Sequence, residues 1–174
     1  MRVVLVVFGV LVALILIVLL IGSALPVKHR AAREATIPVA PDSVFAAITD
    51  FHQFPAWRPS VKSTERVTAA ADTTQYREIG RDGAILYAID ELIPGQRLVT
   101  RIADPSLPFG GRWVFELSPS VGGTTLRITE EGEVYNPIFR FVSRYVMSHH
   151  RTIDTYLGDL GRRFGAAPVI SNAQ

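Results

Sequence analysis

Cysteine is absent from the sequence. That excludes disulfides, cysteine-ligated zinc and a thiol nucleophile, and it leaves the redox compartment undecided. A surplus of one charge is absent too. Setting aside Arg2, which precedes a long apolar run, 17 of the 18 Lys+Arg stand against 16 Asp+Glu, a net of +1. The pI near 9.2 thus describes a near balance. No Lys/Arg cluster carries interleaved aromatics, so nucleic acid is not an expected partner. Phosphate loops, zinc-ligand spacing, a hydrolase elbow and a dinucleotide fingerprint are all missing, so neither a metal nor a cofactor is implied. There is no internal repeat and no low-complexity run.

What the chain does have is one long hydrophobic run. From Val3 to Ile21 all 19 residues are apolar or Gly. As a helix they span about 28 Å, close to the hydrocarbon thickness of a bilayer. The small residues Gly22–Ala24 suit a signal peptidase, but the run exceeds the roughly 7–15 residues of a signal core. The expectation is an uncleaved anchor over residues 1–24, a cleaved signal being the alternative. Lys28, His29, Arg30 and Arg33 follow the run, and only Arg2 precedes it. The positive-inside rule then gives a single-pass membrane protein with its C-terminal domain in the cytoplasm. The basic linker 25–33 is read as a topology signal rather than a headgroup site.

Residues 34–165 are enough for one domain with a real core, and 166–174, AAPVISNAQ, read as a loose tail. REATIPV, Arg33–Val39, is a short strand. Pro41–Asp50 has Val44, Ala47 and Ile48 at helical spacing behind Pro41 and Asp42, a helix start. Six period-two strands follow from Val61, broken by turn residues such as Arg81–Gly83. Asn136–Pro137 then opens a helical pattern that runs to Phe164, about 40 Å long, with Gly165 as its stop. Gly158 and Gly161 inside it cost about 1 kcal/mol each, tolerable where another backbone approaches closely. A large antiparallel sheet and one long apolar-faced helix bury each other, and a curled sheet around a straight helix leaves a cavity.

Between the first helix and the sheet lies TDFHQFPAWRP, Thr49–Pro59, with three aromatics on a segment that two prolines keep short and irregular. IPVAPDSVFAAITDFHQFPAWRPSVKSTE resembles the opening of the polyketide cyclase/dehydrase and lipid-transport branch of the START / birch-pollen-allergen superfamily (SRPBCC). SHHRTIDTYLGDLGRRF is similar to that family's closing helix. The resemblance covers about Ala35 to Phe164. It implies an α+β helix-grip fold: a curved antiparallel sheet of about seven strands around a long C-terminal helix, here preceded by one transmembrane helix. It does not specify a ligand or a reaction, because this fold hosts many functions.

In such a fold Phe51, Phe54 and Trp57 would cap one end of the cavity, with Leu107 and Phe109 of the DPSLPFGG loop as a second lip. Alternatively these rings plug a small core. Trp113, Phe115 and Leu117 share an inward face, and Tyr87 lies on a strand whose two faces are both apolar. Glu130 is in phase with Leu126 and Ile128, so it is a polar anchor or an acid/base. Otherwise a register break at Gly132 turns it outward, or it forms a salt bridge at the mouth, and this is the favoured reading. Tyr145 and His149 complete the ligand-binding candidates. Glu130 and His149 are the weak catalytic ones, since a lone helical His is more often a packed polar side chain. The first reading is a membrane-anchored domain, held through residues 3–21, that binds a lipid, isoprenoid/quinone or polyketide-like molecule. Its alternatives are a polyketide cyclase/dehydrase-type enzyme and a filled-core interaction protein. Cavity volume separates them.

Overall fold

The computed structural model describes residues 2–67, 74–81, 83–145, 148 and 150–173. The apolar run forms helix α1, Arg2–Ala24. It is long and apolar enough to cross a membrane, its most apolar 18 residues having mean hydropathy 3.7 and none of them buried within the protein, while Gly22 near its end is buried. Strand β1, Lys28–Ile37, begins just beyond it. The basic segment expected as linker is therefore mostly strand. Helix α2, Pro41–Thr49, starts with Pro41 in the first turn and buries Val44, Ala47 and Ile48, as their spacing requires. A 3₁₀ turn at Phe51–Gln53 leads into the single turn α3, Phe54–Trp57.

The meander follows as β2 Val61–Val67, β3 Gln75–Gly80, β4 Ala84–Ile93, β5 Arg97–Ile102, β6 Phe109–Ser120 and β7 Gly123–Val134. The expected end of the first of these strands, the first residue of the second and the centre of the Arg81–Gly83 turn lie outside the described residues. Then come α4, Pro137–Tyr145, α5, Arg151–Arg163, and β8, Ile170–Asn172. The sheet order is β2-β3-β4-β5-β6-β7-β1-β8, every pairing antiparallel. Irregular register between Val61 and Ser63 and between Ile89 and Glu91 adds the local twist that lets the sheet curl. Leu98, Leu126 and Ile128 of the sheet share the core with Ile48 of α2 and Ile153, Leu157 and Leu160 of α5.

Three features differ from the expectation. The continuous helical pattern to Phe164 is two helices, with Ser148 and His150 in neither. α5 packs on the sheet side, burying Ile153, Tyr156, Leu157 and Leu160, whereas α4 packs against α1. Both are amphipathic, so the apolar spacing runs on while the partner changes. Second, the expected loose tail turns back at Gly165 (φ +72°) and adds β8 to β1, making eight strands. Third, only Gly161 of the two helix glycines meets a close neighbour. A Cβ there would lie 2.2 Å from Pro168 Cδ of the returning tail, whereas one at Gly158 would meet only Arg162 Nη1 at 3.5 Å.

Candidate functional site

The inward faces of β3 and β4 bring Tyr76, Glu78 and Tyr87 together, Tyr76 being the register partner of Tyr87. Thr100 of β5 sits opposite Trp113 of β6 on the same face. Arg58, the residue that ends α3, reaches in from one side and Tyr156 of α5 closes the other. These side chains, with Phe54 and Phe115, line a cavity of about 50 Å³ between sheet and helix. Arg58 Nη1 donates to Glu78 Oε1 at 2.7 Å, both side chains largely buried. The Arg58 guanidinium also lies 4.8 Å from the centre of the Phe54 ring and 4.9 Å from that of Tyr156, so three groups balance one buried cation.

Burial opposes the charge of Arg58, but Glu78 beside it, with smaller contributions from Tyr156 and Tyr87, outweighs that cost and raises its pKa. Burial pushes the phenols of Tyr76, Tyr87 and Tyr156 above their ordinary range, with the Glu78 charge adding to each. The centre is thus one fixed ion pair among three neutral phenols. It can accept or donate hydrogen bonds to a polar group.

The aromatic segment fills this interior rather than roofing it. Phe51 stacks on Tyr76 at 3.9 Å, and Tyr76 stacks on Tyr87 at 5.3 Å. Phe54 meets Phe51, Trp57 and Tyr76 edge-on. Trp57 meets Tyr156 at 5.4 Å, and Tyr156 in turn touches Trp113 and Phe115. The rings run unbroken from the sheet to α5. A space of about 50 Å³ holds a water or two, well short of the roughly 300–1,000 Å³ of a ligand pocket.

Six of the expected residues therefore converge: Phe51, Phe54, Trp57, Tyr87, Trp113 and Phe115. Phe109 does not join them. It lines an open groove of about 790 Å³ at the far ends of β5, β6 and β7, where Gly110, Gly111 and Gly132 carry no side chain. That groove is larger, but it is a surface feature without the buried polar cluster. Tyr145 lies exposed on α4 beside Phe141, away from the interior. Glu130 faces inward, because the register continues through Gly132 without a break. Its Oε1 is 3.5 Å from His29 Nε2, and Oε2 is buried with no hydrogen-bond partner among the described residues. His29 fits there because Gly132 has no side chain: a Cβ would come within 2.2 Å of the imidazole. Glu130 thus faces inward beside His29, and the register break at Gly132, one of the alternatives, does not occur. His149 lies outside the described residues.

Sequence reasoning missed Arg58, Glu78, Tyr76 and Tyr156. In QYREIG the apolar residues Tyr76 and Ile79 fall on opposite faces, so the strand gave no phase and Glu78 looked like a solvent-facing charge. Arg58 carried one faint signal, a cation directly after Trp57 in an aromatic run.

A family model described as polyketide cyclase / dehydrase and lipid transport matches residues 28–160. Solved structures share the fold. A START superfamily protein from Mycobacterium smegmatis has a TM-score of 0.63 and 16% identity, over 79% of this chain and 97% of its own. A protein from Thermus thermophilus has 0.61 and 21%, over 79% and 96%. The di-domain ARO/CYC StfQ from the steffimycin biosynthetic pathway has 0.58 and 15%, over 79% of this chain and 50% of its own. No curated protein matches the sequence. At such identities the likeness is one of architecture alone.

Proposed function

The chain belongs to the polyketide cyclase/dehydrase and lipid-transport family with a START-like fold, and from that premise we propose that it is a membrane-anchored domain binding a hydrophobic ligand between its sheet and α5. The observation that carries this is the Arg58–Glu78 pair, ringed by three phenols and facing a cavity in the middle of an aromatic core. An ion pair in a core adds little stability over packed apolar side chains of the same volume. Placed at a cavity, it supplies the polar end that orients a carbonyl or hydroxyl, while the surrounding rings desolvate an apolar body at about 25 cal/mol per Å². The ligand class is a lipid, an isoprenoid or quinone, or a polyketide-like molecule. Admitting one requires the segment carrying Phe54 and Arg58 to move outward, since the closed interior leaves about 50 Å³.

The exposed apolar surface of α1 supports the anchor, and Lys28, Arg30 and Arg33 beyond it favour a cytoplasmic domain. A second reading has an observation of its own. The small volume of the interior favours a filled-core domain that works through its surface. The cyclase alternative asks Glu130 and His149 to act as acid and base; Glu130 Oε1 lies 3.5 Å from His29 Nε2, and His149 is outside the described residues.

The test is native mass spectrometry of the full chain extracted from membranes, followed by solvent extraction of whatever it carries. The expected result is an apolar molecule bound in one copy and lost in the Arg58→Leu/Glu78→Leu double variant. A bare protein that takes up none of a panel of labelled lipids and quinones overturns ligand binding and leaves the filled-core reading.

A further inference from the structure

The end of α1, the start of β1 and one side of α4 enclose a second concavity, of about 400 Å³. Five of its ten lining residues are Lys28, His29, Arg30, Arg140 and Arg144, and none is acidic. Among the described residues, none of the nearby carboxylates pairs with an arginine of the concavity. Glu131, the register partner of Arg30, is 2.6 Å from Arg112, and Glu130 faces His29. Glu133 lies 3.8 Å from Lys28, a loose contact on an exposed side chain. Arg30, Arg140 and Arg144 form no ion pair among the described residues. Arg140 donates through Nη1 to the carbonyl of Leu25 at 2.8 Å, and its Nε is buried without a partner. Cations held this close repel one another unless an anion sits between them.

Position decides which anion. Leu25 and Pro26, on the rim of this concavity, are the first residues after the apolar helix. If α1 spans the hydrocarbon, the concavity sits at the level of the phosphates. α4 fits the same plane, exposing Ile138 (43%), Phe139 (54%) and Tyr145 (61%) beside Arg140 and Arg144, the composition of an interfacial helix. It is fixed there by close packing: a Cβ on Gly22 of α1 would fall 2.0 Å from the carbonyl oxygen of Pro137. β8 covers β1 only at Arg33–Ala35, so the edge of β1 at residues 28–30 is left open beside this space.

We propose that this basic concavity is a headgroup site for an anionic phospholipid, whose phosphate lies among Arg30, Arg140 and Arg144 while its acyl chains run along α1 and α4. The proposal rests on the membrane-anchored reading but is independent of the interior ligand. Four Lys/Arg side chains at one site give selectivity for an anionic over a zwitterionic headgroup. The site holds the domain against the bilayer in one orientation.

The full chain is reconstituted in nanodiscs of equal phosphatidylcholine and phosphatidylglycerol, and lipids retained on release are counted by native mass spectrometry. Phosphatidylglycerol is expected to be retained preferentially. Arg140→Gln/Arg144→Gln lowers that preference roughly tenfold. Arg77→Gln/Arg101→Gln, the same charge change on β3 and β5 at residues that do not line the concavity, leaves it unchanged. Equal retention of both lipids, or equal loss in both variants, overturns the site. Competition by millimolar inorganic phosphate overturns the lipid as its source. Failure of the anchor itself shows earlier, as release of the chain from membranes by alkaline carbonate. Failure of the interior ligand shows as an empty interior with phosphatidylglycerol still bound.

Discussion

At the scale of the residue, the interior is governed by what three phenols and one ion pair do out of water. Tyr76 and Tyr156 are buried, and Tyr87 stacks against Tyr76. Burial raises all three phenol pKa values above the ordinary value near 10. The unfolded chain therefore releases these protons first as pH rises, and the native state does not. Their contribution to stability is complete below pH about 10 and is lost above it, by up to about 1.4 kcal/mol per pH unit for each phenol. Thermal melts of the solubilised chain between pH 9 and 11.5 are expected to show this fall. Tyr87→Phe and Tyr156→Phe should each make it shallower by about one proton's worth, and an unchanged slope in both would mean that the phenols ionise within the folded protein. The rings of this site were legible in the sequence because aromatics crowded beside two prolines have little use except packing. The polar half was not. Glu78 and Arg58 are charged, and alternation assigns a charge to solvent unless a partner is visible, while theirs is 20 positions away in the chain.

At the scale of the element, periodicity reports that a face is apolar and not what covers it. The strands were legible for this reason: each meander strand has its neighbour in sequence as its neighbour in space. β1 had no such local cue to its full length. Its first half, Lys28–Arg33, is charged and small, and becomes strand because β7 pairs with it. The last helical pattern failed in the same way, since α4 and α5 serve different partners. The α1–α4 contact has a sharp test. Gly22→Leu puts a side chain where Pro137 backbone lies, and neither backbone can yield without separating the helices. The expected cost is about 1–3 kcal/mol of docking. In hydrogen exchange it appears as faster exchange across Pro137–Tyr145, with Arg151–Arg163 unchanged. Gly9→Leu is the matched control, because a Cβ there meets nothing within 4 Å. Equal exchange in the two variants would show that α4 does not depend on α1 for its place.

At the scale of the molecule, one chain carries an apolar helix, a basic concavity and an aromatic interior. α1 carries the apolar surface, the basic concavity stands at its end, and the aromatic interior lies between sheet and α5. If α1 spans the bilayer, the proposed headgroup site lies at the membrane surface, and the same membrane is the source of any hydrophobic ligand of the interior. That arrangement has one orientation if Lys28, Arg30 and Arg33 remain on the cytoplasmic side. The absence of cysteine makes orientation directly measurable, because any introduced thiol is the only one. Val121 is suited to carry it, since it is fully exposed (103%) at the β6–β7 turn, remote in sequence from every residue of the basic concavity. In intact cells a membrane-impermeant maleimide should leave Val121→Cys unlabelled, and should label it fully once the membrane is opened. Labelling in intact cells would put the domain on the outer side. The basic residues would then serve the headgroup site alone and not the topology, and any hydrophobic ligand would have to be taken from the outer leaflet.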